Sequence, residues 1–197
     1  MATTRTAHSD AAKSPNTTTQ VKRFDGKTVR QPLAIAFLMK QHREVEALFD
    51  DYENTDSNAK KLKLSEEICL ALAVHAKIEE ELLYPTAQEK IEEPDLVDEA
   101  AVEHATAKDL IAQIETMKVG DKLYDAKVKV LSEYIAHHVE EEETELFPEI
   151  KRTDIDLAAL GEKLEALADR WKAQLSTGGK AATRANVAAD AKAGAHI

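Results

Sequence analysis

A chain of 197 residues, 43% apolar and 32% charged, has room for one ordinary core. Its single cysteine, Cys69, excludes an intrachain disulfide and a thiolate metal cluster. The net charge is −11; the ends carry +4 (residues 1–30) and +2 (residues 177–197), leaving −17 on residues 31–176, which argues against nucleic-acid binding by that middle region.

No stretch is apolar over the length of a membrane span, and the N-terminus has no apolar leader core, so a cytoplasmic protein without membrane contact is expected. The first 30 residues are Thr-rich and lack hydrophobic periodicity; they are expected to form a disordered arm. No segment alternates as a half-buried strand does, which makes the fold all-α. Pro32 suits the start of a helix running to about Asn54. A second is expected from about Ser57 to Tyr84, closed by Pro85.

Pro94 opens a third helix, ended by Gly120. A fourth begins near Asp121 and runs until Pro148 interrupts it. Asp154 or Asp156 can cap a fifth, residues 157–176, which Trp171 would dock. Residues 177–197, with Gly178-Gly179 and many alanines, read as a disordered tail. Short connections make neighbours antiparallel: an up-down-up-down four-helix bundle over 31–151, with one extra C-terminal helix at 152–176.

The chain writes one pattern twice. His75-x-x-x-Glu79 is followed by Leu83-Tyr84-Pro85, and His138-x-x-x-Glu142 by Leu146-Phe147-Pro148, 63 residues on. His42 precedes the first copy and His104 the second, 62 residues apart. All six polar residues lie within hydrophobic stripes: Ile35, Leu38, His42, Val45, Phe49 on the first helix; Ile68, Leu72, His75, Glu79 on the second. Val97, Ala100, His104, Ala107, Ile111 and Leu131, Ile135, His138, Glu142, Leu146 repeat this on the third and fourth.

A carboxylate buried without a partner costs several kcal/mol or takes a proton. Four imidazoles and two carboxylates, all inward, need a common counter-charge, which two metal ions supply. Imidazole and carboxylate without thiolate suit iron, zinc or manganese. Glu79 and Glu142 fit bridging positions between two irons that also share an oxo or hydroxo group. The ferritin-like dimetal pattern, Glu-x-x-His on two helices, has the opposite order and does not match.

With these motifs the chain resembles the hemerythrin-like family, the HHE cation-binding domain, over about residues 31–151. The resemblance implies a left-handed four-helix bundle around a non-haem diiron centre. His42 and His75 would bind one iron, His104 and His138 the other, with Glu79 and Glu142 bridging. Oxygen-carrying hemerythrins have a further histidine four residues after the third; here Lys108 stands there. Four histidines and two glutamates resemble instead the iron–sulfur-cluster repair type and related stress proteins.

The expected function is binding or reduction of a small oxidant (O2, NO or H2O2) in stress defence or sensing. The alternative is an iron-binding or delivery module for iron–sulfur cluster repair, or iron storage, without turnover. Other residues attract less. His137 turns about 100° from His138 and reads as a surface residue. Tyr84 and Phe147 read as staples of the bundle end, Glu46 as a partner one turn after His42, and the run Glu140–Glu143 as a solvated face apart from Glu142.

Overall fold

The computed structural model describes the backbone of residues 21–24, 27–30 and 33–193, and side chains from residue 33 to 176. Contacts divide the chain into two units, residues 1–31 and 32–197.

In the first unit, β1 (Val21–Phe24) pairs antiparallel with β2 (Lys27–Arg30), Val21 opposite Arg30 and Phe24 opposite Lys27. The expectation of an arm without regular structure is corrected over these eight residues; residues 1–20 lie outside those described. The intervening dipeptide is Asp25-Gly26, a sequence that favours the turn of a two-residue hairpin.

The second unit is helical. α1 (Leu33–Glu53) and α2 (Asn58–Ile78) pack together, as do α4 (Asp95–Thr116) and α5 (Tyr124–Glu141). Ser57 caps α2, its Oγ accepting from the Lys60 N–H. Gly120 takes φ +95° in the turn before α5, a conformation that favours glycine.

The prolines do not end their helices. After α2 the chain widens into a π turn, Glu79–Leu83, and continues as α3 (Tyr84–Gln88). After α5 a π turn at Glu142–Leu146 leads into α6 (Phe147–Arg152). The Tyr84 and Phe147 N–H groups bond five residues back, to the carbonyls of Glu79 and Glu142. Pro85 and Pro148 have no N–H to give and would clash with the carbonyl four residues earlier. The wider turn relieves that clash and lets the helix resume.

α7 (Leu157–Ala193) is capped by Asp156, whose Oδ1 accepts from Ala158 and Ala159 N–H. It packs on α1, α2 and α4 and buries Leu160, Leu164, Ala168 and Leu175. At Gly161 a Cβ would sit 2.7 Å from the Ala34 backbone nitrogen, so only glycine permits this approach to α1. Trp171 is partly buried, its indole N–H donating to Glu81 at 3.2 Å. The tail expected to be disordered continues α7 to Ala193; its many alanines, the best helix formers, outweigh Gly178-Gly179.

The core divides into two apolar clusters. One gathers Ile35, Leu38, Ile78, Phe147 and Leu164 near α7. The other gathers Phe49, Ile68, Cys69, Ile111 and Leu131. His42, His104 and Glu142 fall between the two clusters in sequence, while His75 and Glu79 interrupt the first and His138 the second.

Candidate metal centre

The structure brings all six residues together, each at most 8% exposed. His42 and His75 meet at Nε2, 3.1 Å apart, and His104 and His138 do the same at 3.1 Å. Glu79 Oε2 lies 3.1 Å from His75 Nε2 and 3.4 Å from His104 Nε2, so it faces both pairs. Glu142 Oε2 lies 3.3 Å from His42 Nε2 and 3.8 Å from His138 Nε2. Two ligand-like groupings result: His42, His75, Glu79 and Glu142; and His104, His138 and Glu79.

Each ring is held from behind. Nδ1 of His42 meets Glu143 Oε1 at 3.0 Å and that of His75 meets Gln41 Oε1 at 2.8 Å. Nδ1 of His104 meets Glu80 Oε1 at 3.0 Å and that of His138 meets Glu103 Oε2 at 2.7 Å. All four partners are acceptors, so Nδ1 carries a proton and Nε2, once free of its own proton, presents a lone pair to the centre. The centre therefore collects acceptors. Both Glu79 oxygens and Glu142 Oε2 are buried without a hydrogen-bond partner. A donor that does reach in is the Tyr84 hydroxyl, 2.9 Å from Glu142 Oε1 and 3.2 Å from His104 Nε2. Converging lone pairs and orphaned carboxylate oxygens fit a bound cation.

Residues 33–150 match the Hemerythrin HHE cation binding domain family. The chain belongs to that family. A solved structure of similar fold is the Hemerythrin HHE cation binding domain-containing protein, Rv2633c homolog, from Mycobacterium kansasii. It is 25% identical with a TM-score of 0.65, over 76% of this chain and 95% of that one. A curated relative, the DNA nickase of Nostoc sp. (strain PCC 7120 / SAG 25.82 / UTEX 2576), is 29% identical over 110 residues. These are 56% of this chain and 31% of the nickase, so the HHE chain spans about a third of that relative's length.

The electrostatics of the HHE centre follow from burial without a counter-ion. Burial, then the charge of Glu142, pushes the Glu79 carboxyl well above its usual range. For Glu142 burial acts the same way but is outweighed by His138 and His42, which hold it low. Burial and the neighbouring His42 drive His75 well below its ordinary value. Burial would also lower His42 and His138, yet their carboxylate neighbours raise both. Protons thus gather around Glu142 and on Glu79; a divalent ion would displace them.

Sequence reasoning missed the residues behind the rings. Gln41 and Glu103 each precede a histidine, and Glu80 and Glu143 each follow a glutamate. They lie off the apolar stripes, where the π turns and neighbouring helices bring them inward. Glu80 is also bound by Lys108, at 2.5 and 2.6 Å, and Lys108 itself is buried. Glu143 is bound by Arg43. Glu46 instead pairs with Arg43 at 3.0 Å on the exposed face, away from the rings. Tyr84 does more than staple the bundle end, while its counterpart Phe147 stacks on His42 with centroids 5.8 Å apart.

Proposed function

We propose that this HHE domain, residues 31–151, is a non-haem diiron protein that binds or reduces a small oxidant (O2, NO or H2O2) in stress defence or sensing. His42 and His75 would hold one iron and His104 and His138 the other, with Glu79 and Glu142 available to both; zinc or manganese would suit the same donors. The observation that carries this reading is the surplus of buried acceptors, four Nε2 lone pairs against two carboxylates with three orphaned oxygens. When bound, the irons supply a redox-active Lewis-acidic pair able to take a small ligand.

The chain's own residues define what reaches that pair. Gln41, Glu80, Glu103 and Glu143 fix the four rings, so their orientation is set before loading. A cavity of about 270 Å³ touches all four histidines, and Val45, Leu48, Leu72 and Ile111 are among its walls. Such walls favour weakly polar molecules over hydrated ions. Tyr84 holds a proton at Glu142 Oε1, beside His104.

The likeness to a DNA nickase is read as a shared HHE fold, since it covers 31% of that protein and the middle of this chain, at −17, would repel phosphates. A cytoplasmic location remains part of the proposal; among the described residues no helix is long and apolar enough to cross a membrane. The test is anaerobic loading with Fe(II), elemental analysis, then addition of NO or H2O2. About two irons per chain and a rapid change in the visible spectrum are expected. A fully loaded, inert centre would replace the oxidant reading with storage or delivery without turnover.

A further inference from the structure

The inner ring of six residues is duplicated, but its surroundings are not. Offsets of 62 and 63 residues place Phe37, Gln41, Val74, Ile78 and Leu82 opposite Glu99, Glu103, His137, Glu141 and Glu145. On the first half Val74 and Ile78 are buried, and Phe37 and Leu82 partly buried, in the apolar cluster to which α7 contributes Leu160 and Leu164. On the second half the same positions are all acid or imidazole. Packing accounts for Phe37, Val74, Ile78 and Leu82 and has no need of their counterparts Glu99, His137, Glu141 and Glu145.

Three of these groups converge. Glu103, His137 and Glu141 each offer one ligand atom, all within 4.8 Å of one another. His137 Nε2 lies 3.3 Å from Glu141 Oε1, and both residues reach solvent. Glu103 is buried, its Oε2 engaged by His138 at 2.7 Å, so the group touches the shell of the metal centre directly. Beside it a cavity of about 20 Å³ is lined by five glutamates (Glu99, Glu103, Glu141, Glu142, Glu145) and His138, with three apolar side chains completing its wall, room for about one water or one dehydrated ion. Glu142 is 2% exposed, and its Oε2 has no hydrogen-bond partner. An i, i+4 His–Glu pair alone would be a solvated contact; this one adjoins a gap bordered by Glu142, the buried carboxylate whose Oε2 faces His42 and His138 in the centre.

We infer that Glu103, His137 and Glu141 form a divalent-cation site at the mouth of an acidic passage through which metal reaches the centre. The inference rests on the diiron reading for its destination, though the outer site stands on its own atoms. Metal enters between α4 and α5 through carboxylates, whereas the apolar cavity serves the small reactant. Carboxylates lining a narrow gap raise the local cation concentration and the association rate. Fe(II), or the harder Mn(II), suits one imidazole with two carboxylates.

The test compares the full-length apo-protein with the H137A/E141Q variant, which leaves the six inner residues and Glu103 in place. Mn(II) binding by equilibrium dialysis and electron paramagnetic resonance is expected to show one weak site in the wild type that the variant lacks. Anaerobic Fe(II) uptake at micromolar concentration is expected to slow about tenfold or more in the variant, with unchanged final iron content and spectrum. The single variant E145Q, which alters the passage and not the site, should slow uptake while keeping the weak Mn(II) site. Equal Mn(II) stoichiometry and equal uptake rates in wild type and variants would overturn the inference. If the wild type took up no iron, the diiron reading would fail, while the Mn(II) comparison would still decide the outer site.

Discussion

Polar groups enter this bundle at two levels, and they are satisfied in opposite ways. At the level of His42, acceptors face one another across a buried space, and Glu79 finds no hydrogen-bond donor. Ten residues further along α1, about 15 Å, Tyr52 donates to Asp125 Oδ1 at 2.6 Å and Lys61 donates to Asp125 Oδ2 at 2.8 Å. Ser65 and Tyr124 share a hydrogen bond of 2.6 Å beside them. Donors and acceptors match there, and no ion is called for. Burial of polar groups is therefore no sign of a metal; an unmatched set of lone pairs is.

The strongest way to break the comparison is to remove an acceptor from the unmatched level. Glu79→Leu should reduce bound metal from the proposed two ions to one or none, because Glu79 faces both histidine pairs. The metal-free variant should at the same time be more stable than metal-free wild type, by about 1–3 kcal/mol, since a buried group without a partner has gone. Elemental analysis and denaturant unfolding of the apo forms measure the two effects. Lower apo stability would show that Glu79 is satisfied without an ion.

Next in size is the loss of support behind a ring. Glu103→Ala should weaken metal binding about 10–100-fold by freeing the His138 ring. Gln41→Ala should weaken it less, because a neutral amide polarises His75 less than a carboxylate polarises His138. Competition against a chelator ranks the two; the reverse order would mean that charge behind the ring is not what holds the ion.

A smaller effect is expected from Tyr84→Phe, which makes the first half resemble the second, where Phe147 stands. Two metals should remain. The apo form should lose about 1–3 kcal/mol with the hydrogen bond to a charged acceptor, measured by denaturant unfolding. Unchanged apo stability would mean that the hydroxyl is idle.

What the sequence made legible follows the same division. The apolar stripes on four helices placed His42, His75, Glu79, His104, His138 and Glu142 inward, because helical period and burial are local properties of the chain. The ring supports were hidden because Glu80 and Glu143 lie off the stripe until a π turn brings them round. Those turns were hidden in turn because Pro85 and Pro148 read as stops, and only tertiary packing makes a widened, continuing helix the better outcome. The extent of α7 was missed by weighing Gly178-Gly179 above the alanines. The β1–β2 hairpin was missed by requiring alternation where Asp25-Gly26 alone carried the signal.

The matched level should respond to pH, with modest amplitude. The Lys61 ammonium, then the Tyr52 hydroxyl, hold the Asp125 carboxyl below its ordinary value. A depressed folded value means stability that is complete above the unfolded value, about 4, and lost as pH falls through the folded one. Burial, then the bond to Asp125, raises the Tyr52 hydroxyl. Its contribution is complete below the unfolded value, about 10, and lost only as pH rises through the raised one. Asp125→Asn should thus cost less than about 1 kcal/mol near pH 7, the scale of an exposed ion pair, and the deficit should vanish in strong acid. Thermal unfolding of the apo-protein from pH 7 down to the acid limit of folding measures this. A deficit that persists undiminished in acid would mean that Asp125 acts through its shape and not its charge.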